Sequence, residues 1–306
     1  MEGEKPRYDG RMRIELITTG SELLLGQVLN SHPGYLSGRL AMMGLELARQ
    51  TAVPDGKEAI AEVLEESWKR SDLVLVTGGL GPTSDDITRD VVAEFFKRPL
   101  EYHGEIYEKI LGYFRHRNLT PPDLVKVQAM VPKGMEVLSN DVGTAPGFWF
   151  EEKGKMLAVL PGPPRELAPM FEKGVEPKLR GRAKTAEGTR ILRVYGIGES
   201  FVQEKCEAEL RKMGFAGVGY CARPGEVDVR LRSSDPARLE RGAEFVRKTL
   251  GEAVYAEGAE TMEEVVVRLA RAKGVKLTTA ESCTGGLVAN RITDVPGASE
   301  VLWGDG

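Results

Sequence analysis

Apolar positions over the first 180 residues switch repeatedly between a run of strand length and a helical period. From Arg13, RIELITTG reads as a strand ending in a turn, LGQVLNSHPGYLSGRLAMMG as a helix and LELARQTAV as a strand. DGKEAIAEVLEESWKRS follows as a helix and DLVLVTGG as a strand. Strands separated by helices predict βαβ units, that is, a parallel sheet with helices on its faces. The helix over 57–70 rests on Ile60, Val63, Leu64, Ser67 and Trp68, which repeat at helical spacing. Further helices are expected over 84–97 and 103–117, and Pro121 and Pro122 suit the start of another in PPDLVKVQAMVP. GTAPGFWF and KMLAVLPGPPRE read as strand and turn segments, the second entering a short helix. A first domain over 12–178 is expected, with Met12 a possible second start and the preceding residues a loose extension.

RGRAKTAEGT, residues 180–189, is polar and charged and reads as a linker. Beyond it TRILRVYG (strand), ESFVQEKCEAELRKMG (helix), AGVGYCAR and VDVRLR (a strand pair across a PGE turn) and DPARLERGAEFVRKTLG (helix) form a βαββα module over 189–258. A third segment, 261–306, reads as helix TMEEVVVRLARAKG, strand VKLTTAES and helix CTGGLVANRITDV before VLWGDG. That is too little chain to bury a core of its own, so the sequence is expected to stop inside a domain. No internal repeat interrupts this order.

Composition narrows the function classes. The 306 residues are 41% hydrophobic and 29% charged, with net charge −4 and no Lys/Arg block, so nucleic acid and membrane surfaces are not expected partners. Cys206, Cys221 and Cys283 are odd in number and lack a CxxC, which argues against a disulfide framework or a zinc site and favours a reducing cytoplasm. No apolar run reaches the ~18 residues of a membrane span.

Four stretches carry candidate chemistry. In TGGLGPTSDDITRD the apolar run before it makes Gly78, Gly79 and Gly81 a strand-to-helix turn, where open α/β sheets bind ligands. No Lys follows as in a Walker loop, and the third glycine of a dinucleotide fingerprint is missing. Two readings of Asp85 and Asp86 stand. In one, Thr83 or Ser84 caps the helix, the two acids complement its dipole for roughly 0.3–1 kcal/mol each, and Arg89 pairs with them. In the other, a phosphate sits on the glycine turn and the carboxylates hold a cation beside it, since unit charges at ~4 Å repel by about 4 kcal/mol at an effective dielectric near 20. Hard oxygen ligands of this kind suit Mg²⁺ or Mn²⁺.

TTGSELLLGQ repeats the strand, glycine and acid order. Ser21 opens a helix, Glu22 is placed to face the same crevice or to serve as a first-turn acid, and Asn30 and His32 follow, the histidine reading more simply as a surface residue. The turns GTAPG, with Gly143 and Thr144, and LPGPPRE, with Gly162, offer backbone amides to a ligand or are ordinary turns. TTAESCTGG carries Ser282. The histidines, His32, His103 and His116, all lie in the first domain, so a Ser-His triad is not expected; a Ser-Lys pair would have to use Lys273 or Lys276, and otherwise Ser282 caps a helix.

Together TGSELLLGQVLNSH, TGGLGPTSDDITRD, GTAPGF with LPGPPRE, and TTAESCTGG resemble the CinA family (competence/damage-inducible protein A) in order and spacing over essentially the whole chain. The resemblance implies a MoaB/MogA-like molybdopterin-binding fold with metal-dependent ADP-ribose pyrophosphatase activity in the first domain. Asp85, Asp86 and Glu22 would then be ligands of a divalent metal (Mg or similar). Gly78, Gly79, Gly81, Thr83, Ser21, Asn30, Gly143, Thr144 and Gly162 would line the nucleotide site. The middle module is similar to the family's KH-type domain, although its RPGE loop is not the GxxG of nucleic-acid binders. The last segment resembles the opening of a nicotinamide mononucleotide deamidase domain, with Ser282 as nucleophile. The family's activating lysine has no counterpart before VLWGDG, so that activity is not expected of this chain. A cytoplasmic homodimer is implied.

Overall fold

The computed structural model describes residues 12–182 and 188–303, which fall into two compact units. The central residues of the expected linker lie outside the described residues, as does the segment before Met12.

The first unit begins with β1 (Ile14–Thr19), a four-residue helix α1 (Ser21–Leu24), α2 (His32–Met42), β2 (Leu47–Val53), α3 (Lys57–Arg70) and β3 (Leu73–Thr77). It continues with α4 (Thr88–Phe95), β4 (Leu100–Tyr102), α5 (Gly104–Arg115), a 3₁₀ turn at Asp123–Ala129, β5 (Met130–Pro132), β6 (Glu136–Leu138), β7 (Gly147–Glu152) and β8 (Lys155–Leu160). It closes with α6 (Pro164–Met170), a π-helical turn at Phe171–Val175 and α7 (Glu176–Leu179).

Six strands form one sheet in the order β2-β1-β3-β8-β7-β6. The first four are parallel, as the βαβ pattern predicts, while β7 pairs antiparallel with both β8 and the edge strand β6. β1 and β3 are buried along their whole length, which is why β3 reads as an apolar run rather than an alternation, while β1 carries the buried Glu15. Core residues lie on both faces of the sheet, one cluster including Ile60, Leu64, Val76 and Phe148 and the other Leu36, Leu75, Leu160 and Phe171. Ile60, Leu64 and Ser67 are the buried face of α3, as its period predicts.

Three helix expectations need correction. The segment 25–44 is not one helix: the chain turns at Gly26, φ 69°, and helix resumes only at His32, with Pro33 in its first turn. The helix expected from 84 starts at Thr88, because Asp86 folds back on Thr83 and the Thr88 N–H donates to the Gly79 carbonyl at 3.1 Å. After Pro122 the chain makes only the 3₁₀ turn before entering β5.

The second unit holds β9 (Gly188–Tyr195), α8 (Glu199–Lys212), β10 (Gly219–Arg223), β11 (Glu226–Ser233), α9 (Pro236–Leu250) and β12 (Val254–Glu257), then α10 (Met262–Lys273) and α11 (Leu287–Thr293). The predicted βαββα order is present, and β12 completes a sheet β10-β11-β9-β12 whose order the sequence pattern did not supply. VKLTTAES is not a strand: it contributes one parallel bridge, Leu277 to Leu302. The helix expected from 283 begins at Leu287, after Gly285 and Gly286 turn the chain with positive φ.

Candidate functional site

Three turns meet at the carboxyl ends of the parallel strands: Gly20 after β1, Gly78-Gly79 after β3 and Pro161-Gly162 after β8. The Gly78 N–H donates to the Leu160 carbonyl at 3.0 Å, and a Cβ on Gly162 would lie 3.5 Å from the Gly78 Cα, so two of the predicted turns touch. Gly78 and Gly79 are glycine of necessity. With φ of 101° and 66°, a Cβ on the first would lie 2.6 Å from the Thr19 carbonyl oxygen, and one on the second 2.1 Å from the Thr88 hydroxyl. Thr19 and Thr88, both buried, approach through their hydroxyls at 3.4 Å, so the glycine turn is clasped between β1 and the first turn of α4.

Beyond that clasp the N–H groups of Gly79, Leu80 and Gly81 find no acceptor among the described residues. Consecutive N–H groups in a turn of this conformation make an anion-binding concavity. The turn then presents its acids. Thr83 donates its backbone N–H to Asp86 Oδ2 at 2.9 Å, and its hydroxyl lies 2.5 Å from the same oxygen and in contact with Asp85 Oδ1. Gly81 is close by, since a Cβ there would lie 2.3 Å from Asp86 Oδ2. The Thr83 hydroxyl holds Asp85 below the usual carboxylate range, aided by a backbone N–H. Neither Thr83 nor Ser84 caps α4, so the capping reading of this stretch fails.

Arg89 does not pair with Asp85 or Asp86 either. It is the largest fully buried side chain, 1% exposed; its Nη1 reaches the Leu80 carbonyl at 3.5 Å and its Nε has no partner. Burial pushes its pKa down, with Asp90 and Asp86 opposing at a distance. Arg89, Thr83, Ser84, Asp86, Asp123 and Leu124 are among the residues lining a cavity of about 390 Å³.

The stretch after β1 follows the simpler of its two readings, with Ser21 opening α1 and Glu22 as its first-turn acid. The Ser21 hydroxyl accepts the Asp55 N–H at 3.2 Å while Asp55 accepts the Ser21 N–H at 2.7 Å, so Ser21 ties a loop rather than facing a ligand. The Glu22 carboxylate folds over Gly20, 2.7 Å from where a Cβ would stand. Among the described residues no group of three or more His, Cys, Asp or Glu is arranged to hold a metal ion, so Glu22 is not gathered with Asp85 and Asp86 as a third ligand. Asn30 does reach the sheet, donating to the Thr18 hydroxyl at 3.3 Å, and its buried Oδ1 has no partner.

His32, expected at the surface, is 8% exposed. Its Nδ1 stands 2.9 Å from the Thr77 hydroxyl and its ring is also hydrogen-bonded to the Gly162 backbone, bridging the β3 and β8 turns; burial lowers its pKa against that second bond. The GTAPG turn is organised by Asn140, which accepts the Gly143 N–H at 2.7 Å and donates to the Ala145 carbonyl at 2.9 Å and to Glu166 at 2.6 Å. Gly143 has no room for a side chain because the Glu166 carboxylate occupies it; burial raises Glu166 above the ordinary range, and the Asn140 donor opposes. The roles of Asn140 and Glu166, and the burial of His32 and Arg89, carry no mark in the sequence, because no local period records a polar side chain that packs into the fold.

In the second unit Ser282 is exposed and its hydroxyl has no partner among the described residues. The cap expected of it is supplied by Glu281, which accepts the Val288 and Ala289 N–H groups at 3.0 and 2.9 Å. Lys276 is turned to the Glu300 carbonyl at 2.5 Å.

Three family models match in series: a probable molybdopterin binding domain over 15–181, a damage-inducible protein CinA KH domain over 189–256 and a CinA C-terminal domain over 259–305. A CinA-like protein of Akkermansia muciniphila is 44% identical over 95% of this chain and 71% of its own length. The chain belongs to the CinA family. A second CinA-like protein, from Kosmotoga olearia, is 43% identical over 95% of this chain and 72% of its own. A solved structure of a CinA protein with unknown function from Thermoplasma acidophilum shares 28% identity, covering 53% of this chain and 94% of that one with a TM-score of 0.48. The first unit of this CinA-family chain is therefore a molybdopterin-binding-type α/β domain. Among the described residues no helix is long and apolar enough to cross a membrane.

Proposed function

We propose that the first unit hydrolyses the pyrophosphate of a dinucleotide-like substrate such as ADP-ribose. The observation that carries the reading is the turn after β3, where three successive unpaired N–H groups at Gly79, Leu80 and Gly81 are followed at once by the Asp85 and Asp86 carboxylates. The amides suit a phosphate and the carboxylates repel one, which makes sense together when a cation lies between them.

The donor set fits a divalent ion of the Mg class. The Thr83 hydroxyl and the Asp85 and Asp86 carboxylates gather hard oxygen donors at one point, the ligand type such an ion takes. Two carboxylates suffice for Mg²⁺, which keeps waters and takes phosphate oxygens for its other positions. Asp85 and Asp86 would hold the ion, which when bound supplies Lewis acidity and offsets the charge of the pyrophosphate. The chain's own part is positional: the glycine turn seats one phosphate, Asn30 reaches the end of β1, and His32 keeps the β3 and β8 turns in register.

The deciding experiment is incubation with ADP-ribose with and without Mg²⁺, following AMP and ribose 5-phosphate. Product formation that needs the ion and is lost in Asp86→Asn supports the reading; binding without turnover under every divalent ion tried sinks it. That second outcome is what a non-catalytic pterin- or nucleotide-binding module predicts, a reading favoured by the molybdopterin-binding description of the matched domain.

A further inference from the structure

A cavity of about 540 Å³ lies between α5 and the segment from β6 to the GTAPG turn. Lys109, Tyr113, His116 and Arg117 form one wall, with Ser139 and Thr144 on the other segment. Its cations are loosely held. Lys109 Nζ is 3.5 Å from the Ser139 hydroxyl, and the Arg117 guanidinium lies 3.6 Å above the Tyr113 ring while reaching the Tyr113 carbonyl at 3.4 Å.

Asp141 is the sole carboxylate of the lining, and Lys173 engages it at 2.6 Å from outside the cavity. Lys173 holds its carboxyl below the usual carboxylate range, with Lys109 adding at longer range. The Thr144 N–H and hydroxyl have no partner among the described residues. Two cations and two neutral donors thus face a space whose one acid is already paired with a lysine outside it. The volume lies within the roughly 300–1,000 Å³ of small-molecule sites, more than an inorganic ion fills.

We propose that this cavity is an organic-phosphate subsite, in which Lys109 and Arg117 grip the phosphate of a phosphorylated sugar and Thr144 donates from the opposite wall. The ligand class rests on the pyrophosphatase reading; the cationic lining does not. Asp86 lines a different cavity, so the two sites are separable by substitution.

The test is calorimetric titration of the full chain with ribose 5-phosphate. The unmodified chain is expected to bind it, Lys109→Ala and Arg117→Ala each to weaken binding about tenfold, and raised salt to weaken it further. Both side chains are exposed, so these variants keep the core. Asp86→Asn is expected to leave the affinity unchanged. Binding that depends on Lys109 and Arg117 without any hydrolysis of ADP-ribose leaves the subsite standing and sinks the pyrophosphatase reading. ADP-ribose hydrolysis accompanied by no ribose 5-phosphate binding, or by equal binding in the double variant, overturns the subsite and leaves that reading standing.

Discussion

His32 and Thr77 are joined across the end of the sheet, Nδ1 to hydroxyl at 2.9 Å, and the same ring binds the Gly162 backbone. One buried imidazole therefore holds the turn after β3 against the turn after β8. The segment that delivers it is the N-terminus of α2, which begins at His32 itself.

Burial holds the His32 pKa below its ordinary 6.5. The unfolded chain accordingly takes up the proton first, and the stabilisation from neutral His32 is present above 6.5 and lost as pH falls. Urea unfolding between about pH 7 and about pH 5 is expected to show falling stability in the native chain and a flatter dependence in His32→Asn. Equal slopes would sink the assignment. His32→Ala is expected to cost about 1–3 kcal/mol by orphaning its two partners.

Gly79→Ala places a Cβ 2.1 Å from the Thr88 hydroxyl at φ 66°. A loss of about 2–4 kcal/mol is expected from the clash and the left-handed backbone together. If the proposed phosphate seat is right, ADP-ribose turnover should fall with it, since this turn must open. Thermal melting and turnover measured on one preparation check this, and an unchanged melting temperature would contradict it.

Glu15 is 1% exposed in β1 and is held by Arg70 at 2.8 and 2.9 Å, Arg13 at 3.1 Å and Ser67 at 3.1 Å. Burial alone would raise its pKa, but the donors outweigh it and hold the carboxyl at about 2. Its stabilising contribution is thus complete above the ordinary 4.5 and lost as pH falls toward 2. Acid titration should show a loss on the order of 3 kcal/mol across that window. In Glu15→Gln the chain should be less stable at neutral pH and the window should flatten; a native-like acid profile would refute the ion-pair account.

Ser282→Ala is expected to change no activity of this chain, and nicotinamide mononucleotide is expected to release no ammonia. The hydroxyl is exposed and no base contacts it among the described residues. Ammonia above the enzyme-free control, lost on substitution, would reverse this.

Sequence alone determined the elements whose apolar period is unbroken. The helix over 57–70, the strands ending in Gly20 and Gly78 and the two-strand hairpin of the middle module are all present, because burial of one helix face or of a whole strand leaves a mark on neighbouring positions. It also placed the glycine turn and its acids at the carboxyl end of a strand. Tertiary structure decided what no neighbour in sequence records. The start of α4 at Thr88 depends on a carboxylate folding back across three residues and on the clasp with Thr19, itself 69 positions away. Ser21 and Glu22 share the pattern of the second glycine turn, yet contacts with Asp55 and Gly20 keep them from the ligand role and leave Glu22 as a first-turn acid of α1. His32 is tied to Thr77, 45 positions away, and Asn140 to Glu166, 26 positions away, and a hydrogen bond between distant residues has no period to betray it.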